Sequence, residues 1–208
     1  MQSTALKIKH LGLQAYEPIW QQLKTFTHAR TEQTTDEIWV LEHNPVYTQG
    51  QAGKPEHLLN PGDIPIVQSD RGGQVTYHGP GQLIVYFLID LQRRKLNVRQ
   101  FIDILEQSVI DLLARYNIAA NADKFAPGVY VNQEKICSLG LRVRHGRTYH
   151  GLSLNVDMDL EPFTRINPCG YAGMRVTQLS AFNSEVTVQN ISEQLLSILQ
   201  QRIGYDET

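Results

Sequence analysis

Apolar and polar residues alternate with period two over residues 6–13, the spacing of a half-buried strand. Tyr16, Ile19, Trp20, Leu23 and Phe26 then return every three to four residues, which predicts a helix, with Pro18 tolerated in its first turn. Residues 37–42 predict a second strand, ended at Asn44-Pro45. The glycine-, proline- and polar-rich run 45–63 reads as a long loop able to cover a site, and 64–68 as a short strand. Apolar residues at 98, 101, 102, 105, 109, 112, 113 and 116 predict a helix over 98–116, opened by an Asn97/Gln100 capping box. A last helix runs over Val188–Ile203, with Ile191, Leu195, Ile198 and Leu199 inward. Strands mixed with few helices, and a β-rich segment over 127–156, argue for an α/β or α+β sheet protein.

The chain is organised around residues 69–91. Their first half is glycine-rich and carries Arg71, Tyr77 and His78; the second, from Leu83, is almost continuously apolar and reads as a strand buried on both faces. Gly72, Gly73, Gly79 and Gly81 let the backbone turn sharply or come close to another group. Two readings are equally weighted by spacing alone: a ligand-holding loop, or two ordinary turns. A second feature is sharper. His145-Gly146 predicts a two-residue hairpin turn, which puts Arg144 opposite Arg147, Gly140 opposite Gly151, Leu139 opposite Leu152 and Ser138 opposite Ser153. Ser138, Gly140, Gly151, Ser153 and Asn155 then share one face, while Leu139, Leu141, Leu152, Leu154 and Val156 take the other. Directly opposed glycines weaken an exposed sheet for no gain, so the small polar face is read as a floor for a ligand.

Length and composition narrow the class. At 208 residues, with 41% hydrophobic and 19% charged residues, the chain is expected to form a single domain over 1–208. A net charge of −2 gives no field for nucleic acid or a membrane surface, and no stretch reads as a signal peptide or a membrane span, so a cytoplasmic protein is expected. The two cysteines, Cys137 and Cys169, need form no disulfide there. Phosphate-loop, dinucleotide and Gly-x-Ser-x-Gly motifs are absent, and the seven histidines show no metal-binding spacing, so no metal is expected. Cysteine and lysine remain. Cys169, between Pro168 and Gly170, belongs to a surface turn and is the better nucleophile; Cys137 falls among Ile136, Leu139 and Leu141 and behaves as packing. Lys135, at the edge of an apolar strand, is either a proton-trading group or a lysine reaching for solvent, and its position alone favours the second.

The run Arg71-Gly-Gly-Gln-Val-Thr-Tyr-His-Gly-Pro-Gly-Gln resembles the signature of the lipoyl(octanoyl) transferases. So do Lys135-Ile-Cys-Ser-Leu-Gly-Leu-Arg, His150-Gly-Leu-Ser-Leu-Asn-Val, and Asn167-Pro-Cys-Gly with Val176-Thr-Gln-Leu. The blocks keep family order from about residue 70 to 180. The resemblance implies a mixed β-sheet flanked by helices, like that of biotin and lipoate protein ligases. It implies transfer of an octanoyl group from octanoyl-acyl carrier protein to a lysine of lipoyl domains, in 2-oxoacid dehydrogenase complexes and the glycine cleavage H protein, without a cofactor. Cys169 then matches the acyl-thioester nucleophile and Lys135 the residue that lowers its pKa. Arg71, Gly72, Gly73, Gln74, Val75, Thr76, Tyr77 and His78 match one substrate-binding block; Ser138, Leu139 and Gly140, with Gly151, Leu152 and Ser153, match two more. Cys137 stands where many relatives carry Ala. Two rivals stay in view, an ATP-dependent lipoate ligase and a non-catalytic acyl- or carrier-binding module. One expectation conflicts with the rest: strict alternation puts Lys135 on the Leu139 face, away from the floor, unless a bulge near Ile136 turns it.

Overall fold

The computed structural model describes residues 5–123 and 126–205. Its main body is a seven-stranded sheet built from β1 (Leu6–Gln14), β2 (Asp36–His43), β6 (Gln82–Leu88), β7 (Asn121–Ala122), β8 (Gly128–Val131), β9 (Glu134–Arg144) and β10 (Arg147–Asn155). The order is β1-β2-β6-β10-β9-β8-β7; β1 and β2 are parallel and the remaining pairs antiparallel, the mixed sheet expected. A smaller three-stranded sheet comprises β3 (Val46–Gln49), β4 (Ile66–Gln68) and β5 (Val75–His78), in the order β4-β3-β5.

Period two on the central strand β6 assigns the two layers. Leu83, Val85 and Phe87 face the helices α2 (Val98–Ala114) and α3 (Val188–Ile203), meeting Phe101, Leu105, Val109, Leu195 and Leu199 in the main core. Ile84, Tyr86 and Leu88 face the other way, toward Ile19 and Leu23 of α1 (Tyr16–Ala29). Each such side chain taken fully out of water contributes ~1.5–3 kcal/mol, so the two-sided apolar run of β6 is what joins the layers. The capping box expected at Asn97/Gln100 is present, and α3 ends at Gly204 in the left-handed conformation (φ 83°). The helix expected to run to 116 stops at Ala114.

Two expectations change. Run 45–63 is not all loop: all four residues of β3 are buried, and a 3-10 turn spans Pro55–His57. Likewise Val75–His78, within the glycine-rich stretch, is a strand. Arg93 and Arg94, which with Lys95 and Arg99 form a basic run in the sequence, are drawn to Asp36 at the start of β2. The Asp36 carboxylate, in a residue only 1% exposed, meets Arg30, Arg93 (2.6 Å) and Arg94 (3.7 Å). It also accepts from Tyr205 Oη at 2.6 Å and from the Asp90 amide at 2.9 Å. Arg147 pairs with Asp90 at 3.2 Å, while Arg142 donates to Gln51 Oε1 and Arg144 to His28 Nε2.

Candidate active site

The hairpin register is the one the turn dictates. His145 (φ 49°) and Gly146 (φ 74°) both take left-handed backbone, and Gly140 faces Gly151, Leu139 faces Leu152 and Ser138 faces Ser153. At the other end of β9 the ladder slips. Val129 pairs with Cys137 but Tyr130 pairs with Lys135, so Ile136 is an extra residue. Ile136 and Cys137 both enter the main core, and Lys135 is thereby carried across to the side of Ser138 and Gly140. The bulge removes the conflict between Lys135 and the floor.

Lys135 is 2% exposed, and its Nζ donates to Cys169 Sγ at 3.0 Å and to the Pro127 carbonyl at 3.1 Å, with the Tyr130 ring 5.2 Å away. Gly128 makes the room: a Cβ there would lie 2.7 Å from Lys135 Cε and 2.6 Å from the Cys137 carbonyl. Burial alone would lower the lysine; its interactions with the Cys169 sulfur and with Tyr130 together outweigh burial and raise it. Cys169 sits in a 3-10 turn, Pro168–Gly170, in left-handed backbone (φ 56°, ψ 15°), a conformation that costs a non-glycine residue about 1–2 kcal/mol. The chain is tied down on both sides of that turn. Upstream, Asn167 N donates to His57 O (2.8 Å), and Leu59 N and Asn60 N to Arg165 O (3.0 Å each). Downstream, Lys135 N donates to Arg175 O (2.9 Å) and Thr177 N to Lys135 O (3.0 Å). The run 45–63 thus includes a strap on the segment that presents the sulfur.

Thirteen of the sequence-predicted residues line one cavity: Cys169, Arg71, Gly73, Gln74, Val75, Thr76, His78, Ser138, Leu139, Gly140, Gly151, Leu152 and Ser153. It is a narrow slot of about 50 Å³. Lys135 meets Cys169 from beside the lining. Gly72 and Tyr77 are not in it. Gly72 N is held by the Leu141 carbonyl (3.1 Å), and alternation along β5 turns Tyr77 toward Tyr47 and Phe163.

Arg71 lies across the floor. Its Nε and Nη2 donate to Thr48 Oγ1 (3.0 and 2.9 Å), Nη1 to Gly72 O (2.9 Å) and Nη2 to Gln74 O (2.7 Å). A Cβ on Gly140 would crowd Arg71 Cδ to 3.3 Å, so that glycine admits the guanidinium. Gly151 is empty for another reason: its Cβ would stand 1.9 Å from the Val85 carbonyl of β6. Gly151→Ala is therefore expected to destabilise the protein by ~3 kcal/mol, near the upper end of overpacking costs, and urea unfolding measures it.

Four lining residues escape the sequence reading: Tyr16, Ile84, Tyr86 and His150. His150 lies within a block noted above, but its partner is distant. Asp70 accepts from Trp20 Nε1 (2.7 Å), from Tyr149 Oη and from His150 Nε2 (2.9 Å). Burial works to raise Asp70, but these hydrogen bonds together hold it well below the usual carboxylate range. His78 Nδ1 donates to Gln82 Oε1 (2.7 Å), since the Gln82 amide already donates to Tyr77 O and Asn155 Oδ1. His43 Nδ1 donates to Gln14 O (3.0 Å), and Tyr86 Oη donates to its Nε2 (2.7 Å). Burial pushes all three imidazoles down, His43 to about 4, His78 well below its ordinary value, and His150 less far because Asp70 opposes burial. They are neutral near pH 7. Above the ordinary histidine value of 6.5 their contribution to stability is complete. As pH falls below it, only the unfolded chain takes up the protons, and for His43 the loss continues to about 4. Each imidazole adds a slope of up to ~1.4 kcal/mol per pH unit. Urea midpoints measured stepwise from pH 7 to pH 4 are expected to fall steadily; a flat profile would contradict neutral imidazoles in the folded state.

Among the described residues no group of three or more metal-ligating side chains is found, and no helix is long and apolar enough to cross a membrane. The arrangement can perform nucleophilic acyl chemistry: a thiol in contact with a buried amine, in the lining of a slot with a small floor.

Comparison with known proteins adds the family. Residues 14–200 match the model of the lipoyl protein ligase A/B catalytic domain. An octanoyltransferase of Shewanella sp. (strain ANA-3) is 56% identical over 207 residues, covering 100% of this chain and 95% of that protein. The octanoyltransferase of Shewanella oneidensis is 57% identical over 205 residues, covering 99% and 94%. The fold is similar to that of a putative lipoate protein ligase from T. acidophilum with bound lipoic acid (TM-score 0.76, 13% identity, 95% of this chain and 85% of that one). It is also similar to biotin protein ligase from Aquifex aeolicus (TM-score 0.59, 13% identity, 95% and 68%).

Proposed function

The chain belongs to the lipoyl protein ligase A/B catalytic family, and on that premise we propose that it is an octanoyltransferase of protein lipoylation working through an acyl-cysteine intermediate. The observation that carries the reading is the 3.0 Å contact between Lys135 Nζ and Cys169 Sγ, the latter lining the slot. The Cys169 thiolate attacks the thioester carbonyl of octanoyl-acyl carrier protein; the new C–S bond forms, the old one breaks, and the carrier's sulfur leaves as a thiol by taking a proton from the Lys135 ammonium, which is left neutral. The acceptor lysine, on a lipoyl domain of a 2-oxoacid dehydrogenase complex or on glycine cleavage H protein, then attacks the enzyme thioester; the amide C–N bond forms, the C–S bond breaks, and the Cys169 thiolate is restored. That amine must shed a proton, and Lys135, the basic group touching the sulfur, takes it. The octanoyl tail enters the slot lined by Ser138, Leu139, Gly151, Leu152 and Ser153, beside Arg71 and His78. We read residues 1–208 as one catalytic domain acting in the cytoplasm.

A thioester exchanged for a thioester and then an amide runs downhill, so neither ATP nor a metal enters. The test is transfer to a purified lipoyl domain from octanoyl-acyl carrier protein with ATP absent and chelator present. Octanoylated domain, detected by mass, is the expected product. A product that appears only with free octanoate or lipoate and ATP would make the chain a ligase, and binding without turnover would make it a carrier-binding module.

A further inference from the structure

We infer that Lys135 is itself an acyl acceptor: when no lipoyl-domain lysine arrives, the acyl group on Cys169 passes slowly to Lys135 Nζ, leaving an Nε-acyl-lysine that ends activity. The inference rests on the acyl-cysteine intermediate proposed above. Its basis is position. The carbonyl carbon of an acyl-Cys169 is bonded to Sγ, and Nζ stands 3.0 Å from Sγ. Rotation about the Cβ–Sγ bond sweeps the carbonyl carbon past the amine, and within that sweep it meets the ~3–3.5 Å of a near-attack arrangement. The side chain has little freedom to withdraw. It is 2% exposed, bonded to the Pro127 carbonyl at 3.1 Å, bounded by Tyr130, and seated where only Gly128 leaves room.

Acylation also removes what keeps this amine charged. In the free protein the sulfur, with Tyr130, outweighs burial, and the sulfur is the larger of the two. Once the sulfur is esterified it carries no charge, and burial favours the neutral amine, which serves equally as base and as nucleophile. The step needs no other reactant. The nitrogen lone pair adds to the carbonyl carbon, the C–N bond forms, the C–S bond breaks, and the amine's proton goes to the departing sulfur. An amide and a free thiol result. Attack on the acyl group by the acceptor lysine competes with this shift, and the Pro127 hydrogen bond, by engaging one N–H and fixing the direction of the amine, slows it.

The experiment incubates the unaltered protein with octanoyl-coenzyme A and no acceptor, sampling over hours, with intact mass and peptide maps taken before and after neutral hydroxylamine. Hydroxylamine cleaves thioesters and spares amides. Early samples are expected to carry one octanoyl group, fully removable and mapped to Cys169. Later samples are expected to keep a resistant octanoyl group on the peptide containing Lys135, with transferase activity lost in the same proportion and not restored by hydroxylamine. Lipoyl domain present from the start suppresses the resistant label, and Lys135→Arg takes only the removable one. A label on Cys169 that stays removable throughout overturns this inference and leaves the acyl-cysteine reading standing. No label on Cys169 at any time in the unaltered protein overturns both, and that time course decides whether or not the variant folds.

Discussion

Cys169→Ala is expected to lower octanoyl transfer by about four orders of magnitude or more, the scale on which loss of a covalent nucleophile is felt. The fold is expected to survive. Cys169 is only partly buried, lies in a turn, and already takes backbone that alanine adopts at a similar cost. Its thermal midpoint should therefore match that of the unaltered protein. Cys137 supplies the contrast. It is 1% exposed, sits in the main core, and burial pushes its thiol far above the ordinary range, so it is inert. Cys137→Ala is expected to cost ~1 kcal/mol of stability and little activity. A Cys137 variant without activity beside an active Cys169 variant would transfer the nucleophile's role.

Lys135→Met is expected to reduce transfer by about a thousandfold, within the range of lost proton transfer by a positioned group. Two steps suffer, since the variant has neither the ammonium that faces the sulfur nor the base for the acceptor amine. Iodoacetamide alkylation of Cys169 at pH 7 isolates the first, and is expected to slow as well. Stability is expected to change little, because a residue of similar length replaces a buried charge whose desolvation offsets its own contacts. Alkylation at an unchanged rate would confine Lys135 to the second step.

The two halves of the site differ in how far the sequence reveals them. The floor was legible because a two-residue turn fixes an antiparallel register residue by residue, from His145-Gly146 inward to Ser138 and Ser153. Lys135 was not placed by the same rule, because one extra residue at Ile136 reverses every side chain beyond it, and no local pattern marks a bulge between apolar residues. The strand β3 was hidden by its neighbours: Asn44-Pro45 and Gly50 are turn residues, and four buried residues between them read as part of a loop. The Asp70 network was unread for a different reason. Trp20, Tyr149 and His150 reach Asp70 from 50, 79 and 80 residues away, and hydrogen bonds of that span leave no periodicity. The motif blocks named Cys169 and Lys135 by resemblance; only folded coordinates bring the amine to the sulfur.

The Asp36 cluster bears on the order in which this chain completes its fold during synthesis. Its members are Arg30, Asp36, Arg93, Arg94 and, last to be made, Tyr205, whose ring also lies 3.5 Å from the Arg94 guanidinium. Until Tyr205 leaves the ribosome, one carboxylate faces three guanidinium groups with its fourth partner missing and that end of the sheet open to water. The nascent chain can therefore assemble its hairpin and central strands early, but the knot that seals them is tied from the C-terminal side.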